Sequence, residues 1–302
     1  MTESKRSVSL VLGSGGARGL AHIGVIKYLV EQGYDIRSIS GSSIGALIGG
    51  IYATGKLDVY ESWVKALQRM DVVRILDFSY TSAGLFKGER LMNKLKDLIG
   101  DQNIEDLPIS YTAVATDIDA QKEVWISEGL LFDAIRASIA IPTVFTPFVK
   151  NGRRLLDGGL VNPIPMAPSL NDATDITIAV NLSAKYERGL TPGEKKIPQK
   201  SNKDGKNGKN KISQSIAAFI EDIQEKFVPD KSSNLGLFDV LSASLDVMGN
   251  GIAKLKLAAY SPDIIIEIPG NLCSFYEFHR AEELIEFGYS RAESTLRNNG
   301  RR

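Results

Sequence analysis

Short apolar runs alternate with stretches of helical period through the first half of the chain. Val8 to Leu12 reads as a buried strand. Leu20, Ile23, Ile26, Leu29 and Val30 then recur at helical spacing, so a helix is expected from about Leu20 to Gln32, ended by Gly33. A second apolar strand, Ile36 to Ser40, leads after a few residues into a small-residue helix from Ala46 to Gly55. The order strand, loop, helix, strand, turn, helix implies parallel strands joined by right-handed crossovers.

Two further helices are expected over Asp58 to Met70 and Gly88 to Ile99. Tyr111 to Thr116 and Lys122 to Ile126 have strand character around an Asp117-Ile118-Asp119 turn, and Leu130 to Ile139 reads as a helix closed by Ile141-Pro142. Arg154 to Leu156 runs into Asp157-Gly158-Gly159 and then the rigid Asn162-Pro163-Ile164-Pro165. Ile176 to Leu182 is a strongly apolar strand. The pattern changes at Thr191 to Lys211, which carries seven lysines and almost no apolar residues. We expect a mobile insertion there, either a solvated linker or a polybasic tether attracted to anionic lipid. Helical patterns follow at Ile212 to Phe227 and Leu235 to Leu257, then a short strand, Asp263 to Ile268, and a helix from about Phe275 to Arg297. Nothing repeats and no second core stands out. The expectation is one α/β domain over residues 1–302, with its motif core at 8–182 and a helical part at 212–302.

Composition narrows the classes. Of 302 residues 43% are hydrophobic and 24% charged, as in an ordinary globular protein, and the formal net charge of zero gives no pull toward nucleic acid. The single cysteine, Cys273, excludes an internal disulfide and fits a reducing compartment. The apolar run after the basic first residues is too short for a signal peptide, and no run approaches the ~20 residues of a membrane span. A cytoplasmic protein is expected, with no metal or cofactor; oligomeric state is not readable.

The chemistry concentrates in three places. Gly41-Ser42-Ser43-Ile44-Gly45 sits between the second strand and its helix, the context of a nucleophile elbow. Such a turn strains the backbone and thrusts the serine hydroxyl out of the sheet. Between Leu12 and Leu20 lies Gly13-Ser14-Gly15-Gly16-Ala17-Arg18-Gly19, which lacks the Gly-Lys-Ser/Thr of a phosphate-binding loop and has Arg18 where a dinucleotide loop needs its third glycine. Its consecutive small residues instead suit an oxyanion hole built from backbone N–H groups. Both segments follow strands, so both open at the carboxyl edge of one sheet. A serine needs a base. Of the two histidines, His279 would complete the order Ser43, Asp157, His279 of an α/β-hydrolase triad, but it falls inside a helical pattern. His22 lies just past the glycine loop and is read as packing there. Asp157 precedes two glycines and is either a turn residue or, if burial raises its pKa, a general base acting directly on Ser43.

Taken together, the glycine loop, Gly41-Ser42-Ser43-Ile44-Gly45 and Asp157-Gly158-Gly159 resemble, in order and spacing, the patatin-like phospholipases, most closely bacterial members with a Gly-Ser-Gly-Gly-Ala-Arg-Gly loop. The resemblance runs from about Val8 to Leu182. It implies a three-layer α/β sandwich with a mainly parallel central sheet flanked by helices. It also implies Ser43 as nucleophile and Asp157 as its base, the elbow glycines Gly41 and Gly45, and an oxyanion hole from Gly15, Gly16, Ala17 and Arg18. Plant members open the loop with Asp-Gly-Gly-Gly, whereas Leu12-Gly13-Ser14-Gly15 stands here, which separates substrate preference but not the dyad. The implied activity is hydrolysis of a lipid or phospholipid ester through an acyl-enzyme, with peripheral contact at the inner membrane face. The alternatives are transfer of the same acyl group to an acceptor and non-catalytic lipid binding. Arg18 would aim the loop, meet a phosphate head group or form a structural salt bridge. The apolar stretch Val72 to Phe86, with Ile75, Leu76, Phe78, Tyr80 and Leu85, would be an acyl-binding lid or ordinary core.

Overall fold

The architecture comes from a computed structural model that describes residues 6–68, 71, 84–190 and 237–299. Most of the stretch expected to be a lid, the lysine-rich segment and the Ile212 to Phe227 helical pattern lie outside the described residues. Residues 1–193 with 249–302 make one compact unit and 194–248 another. In the second, the described part is the start of one helix (Leu237–Tyr260).

The centre of the first unit is an eight-stranded, mostly parallel sheet. Its parallel part comprises β1 (Ser7–Leu12), β2 (Asp35–Ser42), β4 (Ser110–Asp117), β9 (Ile176–Ala184) and β10 (Ile264–Pro269), in the spatial order β10-β9-β1-β2-β4. All six residues of β1 are buried, as expected of a strand at the middle of a sheet covered on both faces. β5 (Lys122–Ile126), β7 (Phe148–Lys150) and β8 (Arg153–Asp157) add antiparallel strands around β4. A separate two-stranded parallel pair joins β3 (Gly84–Phe86) to β6 (Thr143–Phe145).

One detail of the register places the site. Residues Ala113 and Val114 pair with both β2 and β5, and residues Ala115 to Asp117 with both β5 and β8. A strand has two edges, so β2 and β8 must share one edge of β4. β2 runs out at the pair Ser42–Val114, and β8 begins on the next residue, at Asp157–Ala115.

Helices α1 (Ala21–Glu31), α2 (Ile44–Ala53), α3 (Leu57–Ala66), α4 (Glu89–Ile99), α5 (Leu131–Ser138), α6 (Leu237–Tyr260) and α7 (Ala281–Asn299) complete the fold. The continuous core contains Leu10, Leu12, Ile23, Ile39, Ile48, Phe132 and Leu284, so α1, α2, α5 and α7 pack their apolar faces onto the sheet. The largest burial of apolar area lies here, at about 25 cal/mol per Å². No described helix is long and apolar enough to cross a membrane.

Helix α7 meets α1 backbone to backbone. A Cβ on Gly24 would stand 1.9 Å from the Ile285 carbonyl oxygen, and one on Gly288 would stand 2.0 Å from that of Ala21. Neither neighbour is a flexible side chain, so the helices must separate to admit a methyl group. Gly24→Ala is expected to lower stability by about 3 kcal/mol through overpacking, read as a fall in the denaturant midpoint. An unchanged midpoint would contradict the close crossing.

Among the described residues the expected elements hold with shifted ends. The first helix begins with a 3-10 turn (Gly16–Leu20), and the last helix starts at Ala281, not Phe275. Glu277 makes the difference. Its carboxylate accepts the Ser274 N–H at 2.8 Å and pairs with Arg280, holding Phe278–Arg280 in a 3-10 turn ahead of the helix.

Candidate active site

Ser43 follows the last residue of β2 with φ 56° and ψ −123°, a conformation that an L-residue adopts only under constraint. The constraint is close packing on both sides. A Cβ on Gly41 would lie 2.5 Å from the Ala46 nitrogen, and one on Gly45 would lie 2.2 Å from the Leu12 carbonyl oxygen. The elbow thus lets α2 sit directly against the ends of β2 and β1.

Asp157 ends β8 and is buried. Its Oδ2 accepts a hydrogen bond from Ser43 Oγ at 2.5 Å, and its Oδ1 accepts the Gly159 N–H at 2.7 Å. Its backbone is fixed too: the N–H donates to the Ala140 carbonyl at 3.0 Å, and the carbonyl accepts from Thr116 Oγ1 at 2.8 Å. The glycines after it are needed for approach. A Cβ on Gly158 would lie 2.1 Å from the Val114 oxygen, and one on Gly159 2.8 Å from Ser14 Oγ. Burial pushes the Asp157 carboxyl up from 3.8 to about 7, outweighing the two hydrogen bonds that favour its charged form. A carboxylate with that pKa, touching a serine hydroxyl, has the properties of a general base at neutral pH.

The glycine loop is held from three directions. Gly13 N–H donates to the Val180 carbonyl at 3.1 Å and Ser14 N–H to that of Pro163 at 2.8 Å. Arg18, buried, donates from Nε to the Gly15 carbonyl and from Nη1 to the Gly270 carbonyl, each at 3.0 Å. A trans peptide sets its C=O and N–H in opposite directions. Fixing the Gly15 carbonyl on Arg18 therefore aims the Gly16 N–H away from the guanidinium. Ala17 differs from Gly15 and Gly16, because its N–H donates to the Phe275 carbonyl at 2.9 Å. Among the described residues no backbone carbonyl takes the N–H of Gly15 or Gly16. Of the four expected oxyanion donors these two keep a free N–H, whereas Arg18 acts on the loop through its side chain, aiming it.

Neither histidine joins the serine and the aspartate. His22 is fully buried on α1, with Nε2 2.9 Å from the Gly13 carbonyl oxygen, so it pins the start of the loop. Burial lowers its imidazole from 6.5 to about 4. His279 lies half-buried in the 3-10 turn before α7. Asp117 and Asp119 are turn residues, as expected: Asp117 Oδ1 accepts the N–H groups of Asp119 and Ala120, and Asp119 pairs with Arg154. Among the described residues no group of His, Cys, Asp and Glu could hold a metal ion.

His22 carries a stability prediction. Its folded pKa lies below its unfolded one, so the unfolded state binds more protons between the two. The contribution is complete above pH 6.5 and is lost as pH falls toward 4, by about 3 kcal/mol. His22→Gln keeps a donor for Gly13 and cannot titrate. Its stability relative to wild type is expected to rise over that window in urea titrations, and a constant difference would be the contrary result.

Sequence reasoning singled out the glycine loop together with Ser43 and Asp157, which are in contact. It missed Ser138, whose hydroxyl accepts the Ser43 N–H at 2.9 Å, and the bracing carbonyls of Phe275 and Gly270.

Residues 10–170, which include Ser43 and Asp157, match the family model described as patatin-like phospholipase. A protein of Mycobacterium tuberculosis named as an uncharacterised member of the NTE family is 37% identical over 97% of this chain and 92% of its own length. Lysophospholipase NTE1 of Kluyveromyces lactis is 35% identical over 62% of this chain and 13% of that protein. The neuropathy target esterase sws of Drosophila melanogaster is 33% identical over 61% of this chain and 13% of its own. The likeness to the two eukaryotic proteins is therefore confined to a small part of each.

Proposed function

Because the chain belongs to the patatin-like phospholipase family, we propose that it is a lipid acyl hydrolase of phospholipase A or lysophospholipase type, working through an acyl-enzyme on Ser43. The observation that carries the reading is the 2.5 Å contact between a strained elbow serine and a buried aspartate with its pKa near 7. Relatives named as a lysophospholipase and an esterase point to the same chemistry.

The geometry supports the following steps. Ser43 Oγ attacks the ester carbonyl carbon while its proton passes to Asp157 Oδ2. The carbonyl oxygen gains negative charge, and the N–H groups of Gly15 and Gly16 receive it. Each such donor is worth about 2.7–4 kcal/mol in sites of this kind. Collapse of the tetrahedral intermediate breaks the bond to the alcohol, which leaves with the proton from Asp157. Water then attacks the acyl-enzyme, gives its proton to Asp157, and frees the fatty acid as Ser43 recovers its hydrogen. The substrate is a phospholipid ester reached by peripheral contact with a membrane surface, and no metal or cofactor takes part.

The test is release of fatty acid from lysophosphatidylcholine and from phosphatidylcholine vesicles by wild type and Ser43→Ala. Release by wild type alone supports the reading. If acyl groups appear on an added lysophospholipid acceptor in place of water, the enzyme is a transferase. Failure of wild type both to turn over lipid and to take up a fluorophosphonate label would leave a binding protein.

A further inference from the structure

We infer that Ser138 is a positioning residue that holds the strained serine elbow in register with its base. The ladder between β2 and β4 ends at Ser42–Val114, where the chain turns out of the sheet. Ser43 N–H therefore has no strand to pair with, and the Val114 carbonyl faces the gap. Ser138, at the last position of α5 and fully buried, closes it. Its hydroxyl accepts the Ser43 N–H at 2.9 Å and donates to the Val114 carbonyl at 2.6 Å. One side-chain oxygen, both acceptor and donor, stands in for the missing rung.

The same short segment grips the other partner. Two residues on, the Ala140 carbonyl takes the Asp157 N–H at 3.0 Å. The end of α5 thus fixes the backbone of both members of the pair, which come from strands 114 residues apart in sequence. Without the Ser138 hydroxyl, a buried N–H at a positive-φ serine loses its acceptor. The elbow then gains a lower-energy alternative in which that N–H finds another partner. A displacement of about 1 Å at a nucleophile is enough to lower turnover by about 10²-fold.

The inference leans on the hydrolase reading for its kinetic arm only. In Ser138→Ala, kcat for lysophosphatidylcholine and the rate of fluorophosphonate labelling are each expected to fall by about 10²-fold. KM should stay within about threefold, because the lesion lies in alignment and not in binding. Ser138→Cys, close in size but a poorer hydrogen-bonding group, should fall between wild type and alanine. Ser169→Ala is the comparison: Ser169 is another buried serine whose hydroxyl donates to a nearby carbonyl, that of Met166, away from Ser43 and Asp157, and its loss should leave kcat alone. Amide hydrogen exchange at Ser43 supplies a readout independent of catalysis, and it should accelerate at least tenfold in Ser138→Ala over Ser169→Ala, about 1.4 kcal/mol of protection. Unchanged exchange at Ser43, or a kcat no lower than in Ser169→Ala, overturns the inference. If wild type releases no fatty acid, the hydrolase reading falls while the exchange measurement still decides the role of Ser138.

Discussion

Asp157→Asn is expected to lose at least about 10⁴-fold in lipid turnover and at the same time to be more stable than wild type at pH 8. Both effects have one cause. Burial raises the carboxyl from 3.8 to about 7, so carrying its charge in the folded state costs about 4 kcal/mol. The folded pKa lies above the unfolded one. Hence the stability associated with this group is complete below pH 3.8 and is lost as pH rises through about 7. Asparagine escapes that loss, since its Oδ1 can still accept from Gly159 N–H and its Nδ2 can donate to Ser43 Oγ. The gap in unfolding free energy between variant and wild type should open between pH 4 and 8. The activity loss follows because an amide cannot take the Ser43 proton. Wild-type kcat/KM should show the same group, falling about tenfold per unit below pH 7. Ser43→Ala should be at least as inactive but without the gain in stability at pH 8, because losing the Ser43 hydrogen bond raises the Asp157 carboxyl further. An Asp157→Asn protein that is less stable than wild type at pH 8 would mean that the carboxylate is solvated, and the base assignment would fail with it.

The second large effect belongs to Gly45→Ala. The added methyl group would fall 2.2 Å from the Leu12 oxygen, 2.6 Å from the Leu12 carbon and 2.9 Å from the Gly13 oxygen. All three are backbone atoms of the central strand and the start of the glycine loop, so none can swing aside. Relief requires α2 to retreat from β1, which would draw Ser43 off Asp157 and deform the loop together. A loss of at least about 3 kcal/mol is expected, with no fluorophosphonate labelling of the protein that does fold. Gly55→Ala serves as the contrast. Gly55 has φ +74° but nothing within 4 Å of its Cβ position, so only a conformational penalty of about 1 kcal/mol should appear. Comparable melting of the two variants would show that the contact at Gly45 is looser than described.

The parts of this architecture that were legible in the sequence are those with local signatures. Val8 to Leu12 and Ile36 to Ser40 announce themselves by apolar runs, and Ser43 by the glycines that its turn demands. Asp157 was ambiguous alone, since Asp-Gly-Gly is a frequent turn; its role became arguable through the motifs ahead of it. What stayed hidden depends on chain segments far apart. β3, β6 and β7 have three residues each, too few for any period to register. Ala17 was expected among the oxyanion donors because nothing near it reveals that the Phe275 carbonyl will claim its N–H. Ser138 sits in Ala137-Ser138-Ile139-Ala140, an unremarkable helix end, and only the shared edge of β4 gives its hydroxyl a task.

The bracing of the glycine loop also bears on when the protein becomes chemically competent during its own synthesis. A nascent chain extended through β9 already holds Ser43, Asp157 and the whole loop. It still lacks the Gly270 carbonyl that anchors Arg18 and the Phe275 carbonyl that anchors Ala17. It lacks the helix that locks onto α1 at Gly24 as well. Until those late residues leave the ribosome, the loop is held at Gly13 and Ser14 but not at Arg18 and Ala17, so the site is expected to take its final shape only after the C-terminal residues have emerged.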